Sequence, residues 1–163
     1  MSKTWSRPIY KALLLVLTLT LGACAQVMPT CSAVNSPPVR DLAGTQWELI
    51  RWHYTSPNDG KTRQRGIPHS GNGTAISLNI SANGQTASGS TGCNNFTGQI
   101  ISSDWGLVLD KVASTRKSCS SNLAELETKF LNYLSNYRTM VRDGDRLIIM
   151  TRDGEVLSFS QKN

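Results

Sequence analysis

The sequence predicts an α+β fold: a small curved antiparallel sheet, or cracked barrel, of seven to eight short strands with one packed helix. Three observations carry that reading. Short alternating apolar segments recur between Asn-Gly and Asp-Gly turns, a single apolar stripe at helical spacing runs from Leu123 to Tyr137, and 163 residues leave room for one domain with a modest core.

The chain opens on a targeting pattern. Lys3, Arg7 and Lys11 make a positive stretch around the start of an apolar run, Ala12 to Leu21. At ~1.5 Å per residue that run covers about half of a ~30 Å hydrocarbon core, so it reads as the apolar region of a signal peptide and not as a stable span. Leu21-Gly22-Ala23-Cys24 follows at once and resembles a bacterial lipobox. The expectation is that residues 1–23 are removed and that Cys24 becomes the N-terminus, acylated with palmitate-type chains. Ordinary secretory cleavage near Ala23 or Ala25, with Cys24 incidental, is the alternative. Ala25, and not Asp, follows the cysteine, which in such lipoproteins goes with release to the outer membrane.

Residues 24–41 are polar, contain Pro29, Pro37 and Pro38, and show no periodicity, so they read as a flexible tether. Cys31 lies within it, either as an exposed spare thiol or as a reactive or intermolecular one. The domain is expected over residues 42–163. Gly44-Thr45-Gln46-Trp47-Glu48-Leu49 opens a strand that continues through Trp52 towards Tyr54. A long polar loop from Thr55 to Gly73 comes next, and loops of that length are commonly functional. Ala75 to Ile80 alternates cleanly, and Asn83-Gly84 turns it into a strand over Gln85 to Ser90.

Thr91-Gly92-Cys93-Asn94-Asn95-Phe96-Thr97-Gly98 is the centre of the chain. Glycine admits positive φ and Asn tolerates it, so the run reads as a tight, ordered turn. Cys119 closes the segment Thr115 to Cys119 just ahead of the helix, and Cys93 and Cys119 are expected to form a disulfide that pins turn to helix in an exported domain. Gln99 to Ser102 and Leu107 to Ala113 read as strands around Asp104-Trp105-Gly106. The helix is expected over Asn122 to Tyr137, with Leu123, Leu126, Phe130, Leu134 and Tyr137 on its core face and Asn122 with Glu125 as a capping box. Thr139 to Arg142, Leu147 to Thr151 and Val156 to Ser160 close the chain as strands.

Composition excludes several classes of function. The formal charge of +6 comes from 17 Lys+Arg against 11 Asp+Glu, and removing the signal peptide leaves 14 against 11. The apparent basicity is therefore largely a targeting signal, and no nucleic-acid binding is expected. His53 and His69 are the only histidines; His53 reads as a structural histidine in an aromatic strand and His69 has no orienting partner in the sequence, so no catalytic residues are assigned. No Cys/His pairs have zinc spacing, no glycine loop joins a strand to a helix, and Glu125 and Glu127 point different ways on the helix. No metal or cofactor is expected.

The order Gly44-Thr45-x-Trp47-x-Leu49, Gly89-x-x-Gly92-Cys93-Asn94-x-Phe96-x-Gly98, Thr115-Arg116-x-x-Cys119, Glu127-x-x-Phe130-x-x-x-Leu134 and Asp145-x-Leu147 closely resembles the META domain. This is the family of HslJ-type heat-shock lipoproteins. The resemblance covers about Leu42 to Ser160. It implies a small, β-rich, barrel-like fold with one helix behind a lipoprotein signal, and a non-enzymatic envelope or stress-response role similar to that of secretin pilotins. Gly92, Cys93, Asn94, Phe96, Gly98, Thr115, Arg116 and Cys119 carry the family motif. Lys117-Ser118 departs from it, since apolar residues are usual there, so packing beside Cys119 is expected to differ.

Two functional expectations follow. The first is a monomeric accessory on the periplasmic side of the outer membrane, held by its acyl chains and binding an envelope protein or a lipid through an opened barrel seam. The second is a periplasmic hydrolase inhibitor or stress-response scaffold acting through a projecting loop, Lys61 to Ser70.

Overall fold

The computed structural model describes residues 37–71, 73–103 and 106–162. The signal peptide, Cys24, Cys31 and the tether as far as residue 36 lie outside the described residues, as do Asn72 and the Asp104-Trp105 pair.

Pro37 and the one-turn helix α1 (Val39–Leu42) already belong to the fold, because Leu42 is fully buried and Val39 packs on the core. The tether is therefore shorter at its C-terminal end than composition suggests. Nine strands follow: β1 (Gln46–Thr55), β2 (Thr62–Gln64), β3 (Ser77–Ile80), β4 (Thr86–Ser90), β5 (Asn95–Ser103), β6 (Gly106–Ser114), β7 (Tyr137–Asp143), β8 (Arg146–Thr151) and β9 (Val156–Lys162). Helix α2 (Ser121–Ser135) connects β6 to β7. The named strands all pair antiparallel, in the order β6-β5-β4-β3-β1-β9-β8-β7, with β2 added on the far end of β1. The expected α+β architecture is present, with one strand more than expected. That strand is β2, which lies inside the segment read as a structureless loop.

The sheet curls until its two outer strands face each other, and the Tyr137 hydroxyl on β7 donates to the Leu107 carbonyl on β6. Inside the curl, alternation does what period-two patterning demands. Trp47, Leu49 and Trp52 of β1, Ile76, Leu78 and Ile80 around β3, Leu147 and Ile149 of β8, and Leu157 and Phe159 of β9 all point inward and are buried. Helix α2 fills the remaining space with Leu126, Phe130, Tyr133 and Leu134. Phe130 meets Phe96 edge-on at 5.8 Å and Phe159 at 6.3 Å between ring centroids, so strands from both halves of the sheet share one aromatic contact.

The helix departs from its expected limits at both ends. It starts at Ser121, and the capping box does not form: Ser120 is the N-cap, without a side-chain cap bond, and Asn122 and Glu125 lie exposed within the helix. The disulfide at Cys119 fixes where the chain enters, so side-chain capping is not what positions the start. At the other end Tyr137 belongs to β7, although its buried side chain still continues the helix stripe.

Close backbone approach explains one motif glycine. A Cβ on Gly89 would lie 2.0 Å from the Ser77 carbonyl oxygen and 2.9 Å from the Phe96 ring, which lies across the glycine from the paired strand. Gly89→Ala should therefore lower stability by about 3 kcal/mol, a fall of roughly 10 °C in melting temperature by calorimetry. Gly66→Ala, where a Cβ meets nothing within 4 Å, should leave the melting temperature unchanged.

Candidate functional site

The motif residues fall into two pieces. Thr91 to Asn94 form the expected tight turn, whereas Asn95, Phe96, Thr97 and Gly98 belong to β5 and pair with β4. The turn closes on itself: the Thr91 N–H donates to the Asn94 carbonyl at 2.8 Å, and the Asn94 N–H donates to the Thr91 hydroxyl at 3.0 Å. Gly92 takes φ +91°, and a Cβ there would strike Pro68 at 2.6 Å, so the position requires glycine twice over. Gly98 faces the bulge in β6 where Lys111 has φ +49°, and the sheet bends at that point.

Asn94 is buried, and its side-chain amide joins three segments. Its oxygen accepts from the Thr115 hydroxyl and from the Lys117 backbone N–H, each at 2.8 Å. Its nitrogen donates to Glu127 Oε2 at 2.8 Å and lies 3.4 Å from Cys119 Sγ. The Thr91 hydroxyl donates to the same Glu127 oxygen at 2.7 Å. The Cys93–Cys119 disulfide runs alongside these bonds. Turn, β6–α2 connection and helix are thus held by one covalent and several polar links. Lys117 and Ser118 lie exposed, because it is the Lys117 backbone and not its side chain that packs here, and this accommodates the polar residues at that place. Thr115 is exposed but bonded, and Arg116 is exposed and makes no ion pair with a described residue.

An open cleft of about 350 Å³ borders this cluster, lined by Asn94, Thr115, Arg116, Cys119, Glu127 and Thr128 among others. A second, of about 260 Å³, lies beside Tyr54, Arg65, Asn122 and Glu125. Both are polar surface clefts, and the interior of the sheet is filled by side chains. Glu125 and Glu127 do serve different sides of the helix: Glu125 lies 3.9 Å from Arg65, Glu127 at the turn.

A cluster missed in the sequence centres on Glu155, which is buried. Arg65 donates to both of its oxygens, from Nε at 3.1 Å and Nη2 at 2.5 Å, Trp52 Nε1 donates to Oε2, and Lys129 Nζ lies 3.6 Å from Oε1. The Arg65 guanidinium also lies over the Tyr54 ring at 4.3 Å. Burial pushes the Glu155 carboxyl up, but the Arg65 and Trp52 hydrogen bonds and the cations Arg65 and Lys129 together hold it below the usual carboxylate range. Burial and the bond to Asp153 raise the Tyr133 hydroxyl. A signal existed: Glu155 has the same inward parity as Leu157 and Phe159. Its partner ninety residues upstream in the chain had none.

These anchors divide the long loop. Arg65 is held by Glu155, Ile67 packs on the core, Pro68 sits on Gly92, and Ser70 donates to Glu48 at 2.9 Å. Pro57 to Gln64 form the exposed tip of the β1–β2 hairpin, so the anchors leave the first four residues of the Lys61–Ser70 segment as the projection. His53 sits half-buried on β1 and His69 is exposed in the loop, 3.2 Å from the Ser70 carbonyl. With Cys93 bonded to Cys119, no cysteine nucleophile stands beside a histidine among the described residues. No cluster among the described residues could hold a metal ion.

The META domain family model matches residues 40–163. The chain is similar to a Burkholderia xenovorans protein solved by NMR, at 26% identity and TM-score 0.64 over 83% of this chain and 97% of that one. A second protein solved by NMR shares the fold at 20% identity and TM-score 0.55, over 76% and 94% of the two chains. No curated protein gives a significant match.

The Glu155 cluster makes a pH-dependent contribution to stability. A carboxyl held below its unfolded value stabilises the fold fully above about pH 4.3, and that contribution is lost as pH falls through the lowered folded value. Glu155→Gln should cost about 3 kcal/mol near pH 7, and the gap to wild type should close below about pH 4, measured as melting temperature against pH. A gap that stays constant with pH would contradict the ionised pairing.

Proposed function

The chain belongs to the META domain family, and on that premise we propose that it acts as a non-enzymatic binding accessory of the bacterial envelope, anchored by acyl chains on Cys24 to the periplasmic face of the outer membrane. Family membership supports an envelope-associated domain in general terms. The observation that carries the non-enzymatic reading is the engagement of the motif's polar groups with one another. Asn94 uses both acceptor positions and its amide nitrogen inside the fold, Thr91 and Glu127 bond to the same cluster, and Cys93 is covalently paired. Groups held in this way position a scaffold and have no free valence for turnover.

The filled interior and the bridge from Tyr137 to Leu107 favour recognition on the outer surface over an acyl chain drawn into the seam. A second reading, inhibition of a hydrolase, is favoured by one specific feature. The hairpin tip is stiffened by Arg63, which donates to both oxygens of Asp59 at 3.0 and 2.8 Å. That makes it a polar projection of the kind a loop inhibitor uses. Capture of a hydrolase from envelope extract, abolished by replacing Lys61 and Arg63, would select this reading. Retention of the partner by that variant would reject it.

Anchoring is tested by Cys24→Ser. Each buried methylene of an acyl chain contributes about 0.8 kcal/mol, far more in total than a surface patch, so the variant should leave the outer-membrane fraction. Sedimentation of the variant with outer membrane after a high-salt wash would contradict the anchor.

A further inference from the structure

The convex face of the sheet carries an apolar patch that the fold itself does not use. On β7, β8 and β9 the outward positions include Val141, Ile148, Met150 and Val156. The register sets them side by side, Val141 against Ile148 and Met150 against Val156. None of them packs on the core cluster; Met150 is 41% exposed, and Val141, Ile148 and Val156 are half-buried around it. Solvated antiparallel strands ordinarily place polar residues there. Around the patch stand Arg51 opposite Ser158, Arg138 at the β7 bulge, Arg146 opposite Ser160, and Arg152 just beyond β8. All four are exposed and none makes an ion pair with a described carboxylate; Arg152 donates to the Asn136 side chain, and Asp143, cross-strand from Arg146, is an acidic residue on the same face, which leaves the face net positive.

We propose that this arginine-rimmed apolar face of β7–β8–β9 docks on an anionic phospholipid surface. Charge complementarity selects the occupant: arginine stems lie along apolar surface while their heads reach phosphate, and each basic side chain near an anionic bilayer adds to binding. The proposal rests on the anchored reading only in that a tethered domain is already held close to such a surface.

The three methionines of the mature chain, Met28, Met140 and Met150, make the test local. The full-length mature protein, purified from membranes, is mixed with vesicles of equal parts saturated phosphatidylglycerol and phosphatidylcholine, or with phosphatidylcholine alone. It is then oxidised with dilute peroxide and mapped by mass spectrometry. Met150 sulfoxide should form roughly fivefold to tenfold more slowly on the anionic vesicles only. Buried Met140 should stay slow throughout as the internal reference. Arg138→Glu with Arg146→Glu, both at exposed positions, should restore the fast rate while the protein still floats with the vesicles.

Flotation on both vesicle types with Met150 oxidised at its free rate would overturn the face and leave the anchor intact. Flotation on anionic vesicles alone, with Met150 shielded, would support the face and remove the anchor. Failure to float at all would overturn both. Shielding of Met150 that needs no vesicles and grows with protein concentration would assign the face to a second copy and overturn the lipid assignment.

Discussion

The side-chain amide of Asn94 is the constraint on which the rest of this structure depends. A curled sheet with one helix has a weak point where the chain leaves β6 and must place that helix over the open side. Here the chain has no regular structure between Ser114 and Ser120, and the helix has no side-chain cap. Asn94 compensates by accepting from Thr115 and Lys117 of the connection and donating to the helix at Glu127. An asparagine suits this position because the amide offers acceptor and donor a short distance apart. Aspartate would lose the donor and set a second carboxylate against Glu127. The disulfide limits how far the same segments separate, while the amide fixes their orientation.

Much of this was legible in the sequence, for reasons that differ from one element to the next. Strands β3, β8 and β9 were plain because their alternation has one face buried, and the tight turns were plain because glycine follows Asn or Asp. The Cys93–Cys119 link was legible from compartment and position. The hairpin strand β2 was not, because Thr62, Arg63 and Gln64 are all exposed and so carry no apolar alternation. The helix start was misplaced since Asn122 and Glu125 mimic a box that the disulfide makes unnecessary. Within the site, Glu127 was readable as polar but not as a partner of Asn94, because such a contact depends on how the sheet closes. The same limit hid the Arg65–Glu155 pair.

The distribution of polar groups bears on function. Inside and at the motif, carboxylates and amides are matched to donors, and among the described residues no buried side-chain nitrogen or oxygen lacks a hydrogen-bond partner. On the convex face the pattern reverses, with apolar side chains outward and four arginines without carboxylate partners. A sequence under pressure only to fold would have little reason to keep that arrangement. The proposed N-terminal anchor would supply one, since a tether raises the local concentration of lipid to the point where a weak face engages.

The central claim, that Asn94 and Glu127 act together to hold the turn against the helix, is tested most directly by a double-mutant cycle. Stability of wild type, Asn94→Ala, Glu127→Ala and the double variant would be measured by denaturant unfolding with the disulfide intact. The account predicts a coupling of about 1–2 kcal/mol, as expected for a hydrogen bond to a charged group. Additive losses, with coupling inside about 0.3 kcal/mol, would contradict it and leave the Thr91–Glu127 bond and the disulfide to hold the turn.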